Sequence, residues 1–414
     1  MKSNINLRSL SGLGKYFKLS KKPPIFVYGK KEFLIDSKNK KFYDFACGSG
    51  TTLLGHNINF LNFKIKKIID QGILHAGPHF ITSSHIKFFN QLSKFLKYKF
   101  NIFNTATNGS EATETALKLA FHHTNKKKII YFDGSYHGRT GYSLLSSDMK
   151  GINKNYFYSK NFIKCEFNNI EDFKKKFNKY KEELAAVIIE PIQGTSGFIF
   201  SNKKFLKYLY ECLKNCPALL IFDETWTGFG KTGHNFAYEF YKIIPDVLIL
   251  GKSIGGGLPL GLVAFNKNIN HNHPGAQSST FQGNILAVNN SYNLMKYLDK
   301  INYLKKVKKI EIFFKNKNKL INSYNFVKSF NGIGLMWGIE IDNKFFNELD
   351  FTNNIRSLLL ENGIITWECG KNSEVIGLVP PLCISNKSLQ SSFNIILKIF
   401  NDLEMKYNFK VSKS

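Results

Sequence analysis

Two side chains able to exchange protons close neighbouring apolar runs. Phe222-Asp223-Glu224 ends one run, and Leu250-Gly251-Lys252 ends the next, one strand–helix–strand unit further along. If both runs are parallel strands of one open sheet, their carboxyl ends converge on one crevice, and the acid and the amine face the same ligand. Gly255-Gly-Gly257, just beyond Lys252, lets backbone approach that ligand closely. Taken alone, an aspartate and a lysine at strand ends are more commonly a salt bridge or solvated caps than a site.

Three further segments favour a site. Asn108-Gly109-Ser110 opens a helical pattern over Glu111–Phe121. Gly109 and Ser110 there offer backbone N–H groups, a hydroxyl and the positive end of a helix, which suits a phosphate. The same residues serve equally well as a plain serine N-cap. Asp133-Gly-Ser-Tyr136-His137 follows another apolar run, and Tyr136 could lay its ring on a flat ligand or join the core. Glu190-Pro-Ile-Gln193 brings a carboxylate and an amide to yet another strand end. A phosphate cradle, an aromatic plate, an acid and an amine on one sheet edge are what an aldehyde cofactor with a pyridine ring requires. A lysine amine condenses with the aldehyde. An acid keeps the ring nitrogen protonated, so that the ring can draw electrons from a carbanion.

The elements that position these groups are short and apolar on both faces: Ile129–Phe132, Ala185–Ile189, Leu219–Phe222, Val247–Leu250 and Gly261–Phe265. Such runs read as buried, largely parallel strands. Helical spacing lies between them, as in Glu111–Phe121 and Lys204–Leu213. The alternation predicts an α/β fold: a large domain with a mostly parallel sheet flanked by helices. After about Asn284 the texture changes, and a smaller α+β domain is expected there. The expected divisions are residues 1–65, packing with the small domain, 66–295 as the large domain, and 296–414 as the small one.

The net charge of +28 invites a nucleic-acid reading. Only three of the 58 basic residues are arginine, namely Arg8, Arg139 and Arg356, and the rest are lysines spread over polar faces. A groove that reads bases or phosphates favours arginine, so no specific nucleic-acid partner is expected. No run approaches the roughly 18 apolar residues of a membrane span, and the N-terminus lacks a secretory apolar block. A basic N-terminus without an acid before Glu32 admits a transit peptide, but a plain basic end is the simpler reading. Six cysteines show no paired metal spacing. Reduced thiols, no bound metal and a cytoplasmic location are the expectations. A Walker-type phosphate loop is missing from the sequence, which removes a P-loop kinase.

Motifs in order along the chain resemble the class-III (omega) pyridoxal-phosphate-dependent aminotransferases, of fold type I. They are Tyr43-Asp-Phe, Gly55-His-Asn57, Asn108-Gly-Ser-Glu-Ala112, Tyr136-His-Gly138, Glu190-Pro-Ile-Gln193 and Asp223-Glu-Thr-Trp-Thr-Gly-Phe-Gly-Lys-Thr-Gly233. Pro245-Asp246, Gly251-Lys252, Gly255-Gly-Gly-Leu-Pro259, Thr280-Phe-Gln-Gly-Asn284, Gly370 and Val379-Pro-Pro-Leu382 continue the series. The resemblance implies that Lys252 holds pyridoxal 5'-phosphate as a Schiff base and carries the proton. Asp223 would pair with the pyridine nitrogen, and Tyr136 would stack on the ring. Gly109 and Ser110 would bind the phosphate, joined by Thr280 from a second subunit, so that a homodimer shares its sites. Gln193 would lie near the ring oxygen, Glu190 would orient its neighbours, and Thr225 would pack under the ring where the family usually has Val or Ile.

The substrate end departs from the family. Glutamate-using members carry a Glu where this chain has Thr195, and an Arg where it has Gly377. Neither Arg139 nor Arg356 matches that arginine. The resemblance therefore implies ping-pong amino transfer between an amine or amino acid and a carbonyl compound. The alternative is internal transfer, as in the glutamate-1-semialdehyde aminomutases, or epimerisation. A relative that kept the fold without the chemistry is disfavoured by the intact Lys252, Asp223 and phosphate turn. Trp367-Glu-Cys-Gly370 and the Pro-Pro-Leu segment resemble the diaminobutyrate and 4-aminobutyrate aminotransferase branch. Thr51, Thr52, His79, Trp226 and Trp367 are candidate substrate-pocket residues, with packing roles as the alternative for each.

Overall fold

The computed structural model describes residues 23–73, 75–148, 158–270, 275–342 and 350–407. Arg8 lies outside them. Near the N-terminus come three strands, β1 (Phe26–Lys30), β2 (Phe33–Asp36) and β3 (Lys41–Asp44). The large-sheet region follows with β4 (Ile102–Ala106), β5 (Lys128–Phe132), β6 (Phe162–Cys165) and β7 (Leu184–Ile189). A short ribbon, β8 (Ile192–Gln193) and β9 (Ile199–Phe200), precedes β10 (Leu219–Asp223), β11 (Val247–Leu250) and β12 (Gly261–Phe265). The C-terminal third carries β13 (Val327–Ile333), β14 (Met336–Ile341), β15 (Ile364–Ile365), β16 (Trp367–Cys369) and β17 (Val375–Leu378).

The seven strands of the large sheet lie in the order β4-β12-β11-β10-β7-β5-β6. Strands β11, β10, β7, β5 and β6 pair in parallel. All five apolar runs read from the sequence are strands of this sheet. The exception in direction is β12, the Gly261–Phe265 run, which pairs antiparallel with both β11 and β4. Two reversals leave β4 running the same way as β11, so its carboxyl end reaches the common edge too.

Burial on both sides explains why these runs are continuous rather than alternating. Ile130, Phe132, Val187, Ile189, Leu220 and Phe222 join one core cluster. Their alternate neighbours Ile129, Ala186, Ile188, Leu219 and Ile221 join a second one across the sheet. The helix Gly109–Thr124 covers that second face with Leu117 and with Ala112, Ala116 and Ala120, whose small side chains let helix and sheet approach closely.

The smaller α+β part draws on both ends of the chain. Ile364 and Ile365 of β15 pair in parallel with Tyr43 and Asp44 of β3. A second four-stranded sheet, β13-β14-β17-β16, is antiparallel throughout and is backed by the helices Tyr303–Ile321 and Asn386–Tyr407. Among the described residues no helix is long and apolar enough to cross a membrane.

Candidate active site

The parallel register delivers the predicted groups to one edge. Asp223 pairs with Ile249, so it ends β10 beside the end of β11, which runs on through Gly251 to Lys252. Ile189 pairs with Phe222, which sets Glu190 on the next strand over. Tyr136 and His137 follow the end of β5. The helix starting at Gly109 follows the end of β4. One cavity of about 350 Å³ is lined by Gly109, Ser110, Tyr136, Asp223, Thr225 and Lys252. A larger one, of about 520 Å³, shares Tyr136 and Lys252.

Lys252 opens a single tight turn in the left-handed region, at φ 48°. Its Nζ lies 4.5 Å from the ring centroid of Trp226. Burial pushes the amine down to about 8, against the opposing pull of Asp223 and Glu190. Lys252 can thus lose its proton close to neutral pH, which a nucleophile or base requires.

Asp223 is 3% exposed. Its Oδ2 lies 2.7 Å from Nδ1 of His137, and its Oδ1 accepts from the Thr225 N–H at 3.0 Å. Burial works against its charge, but the hydrogen bond and charge of His137, together with Thr225, hold the carboxyl below the usual carboxylate range. The role of His137 was not legible in the sequence, where it is simply the neighbour of Tyr136. An acid at the end of one strand and a histidine after the end of another, 86 residues apart, are its only trace there.

Glu190 is buried, and its two oxygens accept from the N–H groups of Tyr136 at 2.9 Å and Gly194 at 3.1 Å. Burial raises its carboxyl to about 7, with His137 acting the other way and Asp223 adding to the rise. Gln193 donates from Nε2 to the Asp133 carbonyl at 2.8 Å. Neither residue lines the cavities that hold Lys252. Both instead hold the turn that carries Tyr136. The Tyr136 hydroxyl in turn accepts from Nε of Arg139 at 3.1 Å.

At the turn expected to bind a phosphate the helix cap is Asn108, not Ser110: the Asn108 side chain accepts from the Glu111 N–H. Ser110 is thereby spared a capping duty. Thr225 packs beneath, since a Cβ at Gly109 or at Gly251 would lie 3.3 or 2.9 Å from its methyl carbon. Gly138, at φ 144°, is a position where no side chain fits, because a Cβ there would strike the Ser110 hydroxyl.

The remaining candidates divide. Thr51 lines the smaller cavity, and Trp226 and Trp367 line the larger. Thr52 faces Cys47 instead, its hydroxyl 3.9 Å from the sulfur. His79 lines a separate cavity with Phe103 and Gln277 and does not meet the Lys252 site. Thr280 is exposed and lines neither Lys252 cavity; its carbonyl lies 2.6 Å from Nε2 of His75.

The Aminotransferase class-III family profile matches residues 18–400. The chain belongs to the class-III aminotransferases. It is 34% identical to a LysW-aminoadipate semialdehyde/glutamate semialdehyde transaminase of Sulfolobus acidocaldarius, over 91% of this chain and 95% of that one. It is 33% identical to a glutamate-1-semialdehyde 2,1-aminomutase of Wigglesworthia glossinidia brevipalpis, over 79% and 77%. Its fold matches the ornithine aminotransferase of Toxoplasma gondii with a TM-score of 0.86 at 23% identity, over 93% and 92% of the two chains. This aminotransferase is an α/β enzyme of fold type I that depends on pyridoxal phosphate. The donor set suits that group: a low-pKa carboxylate for a protonated ring nitrogen, a buried amine for an aldehyde, and a helix start with a free hydroxyl for a phosphate.

Proposed function

We propose that Lys252 is the catalytic lysine of this aminotransferase and that Asp223, Tyr136, Gly109, Ser110 and Thr225 form the cofactor cradle. The observation that carries the reading is the smaller cavity, where residues from four different strand ends meet. When bound, pyridoxal phosphate supplies an aldehyde that exchanges amines and a ring that withdraws electrons from the substrate carbon. The neutral Nζ of Lys252 would take the proton from the amine-bearing carbon of the substrate and deliver it to what had been the aldehyde carbon, so that the amino group stays behind when the carbonyl product leaves. Asp223 would hold the ring nitrogen in its protonated form. Ser110 and the first N–H groups of the helix bind the phosphate. Tyr136 covers one ring face, while Glu190 and Gln193 hold the turn on which it stands. Trp226, against Lys252, keeps water from the amine.

The reading extends to a homodimer in which the partner subunit's Thr280 completes the phosphate site; the exposure of Thr280 and of Phe281 supports it. Six free thiols support a reducing, cytoplasmic compartment. The pairing of β3 with β15 supports a division at about residues 65 and 295, with the first segment packing on the last. The names of the relatives support an aliphatic amine or semialdehyde as substrate.

The test is the visible absorbance of the loaded protein. Amines added one at a time, without a keto acid, should abolish the band in wild type, and Lys252→Ala should lack the band's response. A band that persists through every amine, and that Lys252→Ala leaves unchanged, overturns the assignment. Internal transfer is a second reading, favoured by Thr195 and Gly377 at the gate positions and by the aminomutase relative. It predicts a band that shifts and returns as one substrate is isomerised.

A further inference from the structure

Of the chain's three arginines, Arg139 and Arg356 line the larger cavity that Lys252 also lines. In a chain whose other basic residues are all lysine, two guanidinium groups at one cavity point to a ligand that needs planar, forked donors. Arg139 is exposed and engaged with Tyr136. Arg356 is 6% exposed, on the helix Asp350–Glu361. Its Nη1 donates to Oε2 of Glu368 at 3.1 Å and to Oδ1 of Asn353 at 3.2 Å. Glu368, on β16, lines the same cavity, and its Oε1 accepts from the Ser373 hydroxyl at 2.8 Å.

The position where the family resemblance expects an arginine is tightly packed. A Cβ on Gly377 would lie 3.0 Å from Cβ of Trp367 and 3.1 Å from Sγ of Cys369. Trp367 fills that space across the β16–β17 pair. Arg356 reaches the cavity from the helix instead.

We propose that Arg356 binds a substrate carboxylate in this cavity and that Glu368 is its exchangeable counter-ion. The amino donor or acceptor would then carry a carboxylate at the end away from the reacting carbon. The inference rests on the assignment of Lys252 above. A buried ion pair stabilises a fold little, because desolvation offsets the attraction. It does hold the guanidinium, which is always charged, aimed at a cavity until a second carboxylate arrives. The exchange then replaces one anion by another, and Glu368 retains the Ser373 hydroxyl. The incoming carboxylate gains charge-assisted hydrogen bonds that an uncharged amine tail cannot make. Asp44, the other acid of the wall, is already satisfied by the N–H groups of Ala46 and Gly48 and by His56, so it does not compete for Arg356. Trp226, Trp367, Leu360 and Ile365 make the wall apolar and suit a methylene chain between amine and carboxylate.

The experiment uses the loaded enzyme and pairs of probes of matched chain length, each an ω-amino acid and the corresponding n-alkylamine. The visible band is followed without a keto acid. In wild type the amino acid of a pair is expected to saturate at lower concentration than the alkylamine. Arg356→Gln is expected to raise half-saturation for the amino acid by about 10- to 100-fold and to leave the alkylamine within a factor of about three. Glu368→Gln is expected to lower half-saturation for the amino acid alone, since the competing anion is gone. Equal losses for both probes in Arg356→Gln would show a structural clasp and overturn the subsite, as would no change for either. If Arg356→Gln fails to load cofactor, Glu368→Gln decides: an unchanged or weakened response to the amino acid overturns the subsite. Response to alkylamines only, in wild type, also overturns it. A wild-type band indifferent to every amine instead sinks the Lys252 assignment, which separates the two failures.

Discussion

Nδ1 of His137 lies 2.7 Å from Oδ2 of Asp223, with the two side chains 0% and 3% exposed. The ring's other nitrogen, Nε2, is buried without a hydrogen-bond partner among the described residues. The histidine therefore commits its polar contact to this one acid and keeps the acid ionised. His137→Phe keeps the bulk and removes the bond. It is expected to lower kcat/KM by about 10- to 100-fold, the worth of a buried hydrogen bond to a charge. It should also raise the Asp223 pKa, so the acid limb of the pH profile moves to higher pH. A pH–rate profile checks both, and an unmoved acid limb would falsify the role given to His137.

The amine of Lys252, pushed down to about 8, predicts how cofactor-free protein takes up pyridoxal phosphate. Only the neutral amine attacks an aldehyde. The uptake rate should climb with pH through about 8 and then level, well below the ~10.4 of an ordinary lysine. Stopped-flow mixing across that range measures it. A rate still climbing steeply toward an ordinary lysine's pKa would contradict the depressed value.

Lys231 is wholly buried, its Nζ 5.6 Å from the Trp226 ring centroid and without a hydrogen-bond partner among the described residues. Burial pushes it down to about 7; Cys47 opposes the shift and Lys252 adds to it. The folded state then releases the proton near pH 7, whereas the unfolded chain holds it to about 10.4, so the unfolded state binds more protons in between. The penalty is complete below the folded value and fades as pH rises through that window. Lys231→Met should raise Tm most near pH 6, and the gain should shrink toward pH 9. Thermal melts at several pH values decide it; a pH-independent difference would mean that Lys231 is not charged where it is buried.

Gly138→Ala tests the phosphate turn. At φ 144° the new Cβ would strike the hydroxyls of Ser110 and Ser143. The conflict costs about 1–3 kcal/mol, as overpacking commonly does. Part of it should appear as weaker cofactor binding, because Ser110 is displaced. Titration of cofactor-free protein should give a Kd raised about tenfold or more. Unchanged affinity alongside a lowered Tm would leave Ser110 without a share in phosphate binding.

Much of this was legible in the sequence because continuous apolar runs mark strands buried on both faces. The runs ending at Phe132, Ile189, Phe222 and Leu250 each place a named group at the sheet edge. The same texture conceals strand direction, so the antiparallel β12 was not distinguishable from its neighbours. The edge strands β4 and β6, with Ile102, Phe103 and Phe162 only half buried, lack the continuous signal. Which of Asn108 and Ser110 caps the helix depends on one torsion, not on composition. His137 with Asp223, and Arg356 with Glu368, are meetings between elements, and no local pattern announces them. His79 failed for the same reason: its type fits a pocket, but packing sends it to another.

The parallel pairing of β15 with β3 also sets an order of events. Ile364 and Ile365 must find Tyr43 and Asp44 across roughly 320 intervening residues, a loop whose closure entropy is repaid only when both ends are present. Chains emerge from the ribosome N-terminus first, and distant parallel pairings form slowly. The carboxyl edge of the large sheet, ending at Lys252, can be assembled while the C-terminal third is still being made. The wall of the larger cavity cannot, because it needs Asp44 and Ala46 together with Ile364 and Ile365. A nascent chain thus completes its own share of the proposed cofactor cradle before it completes the wall that would choose what the cofactor reacts with.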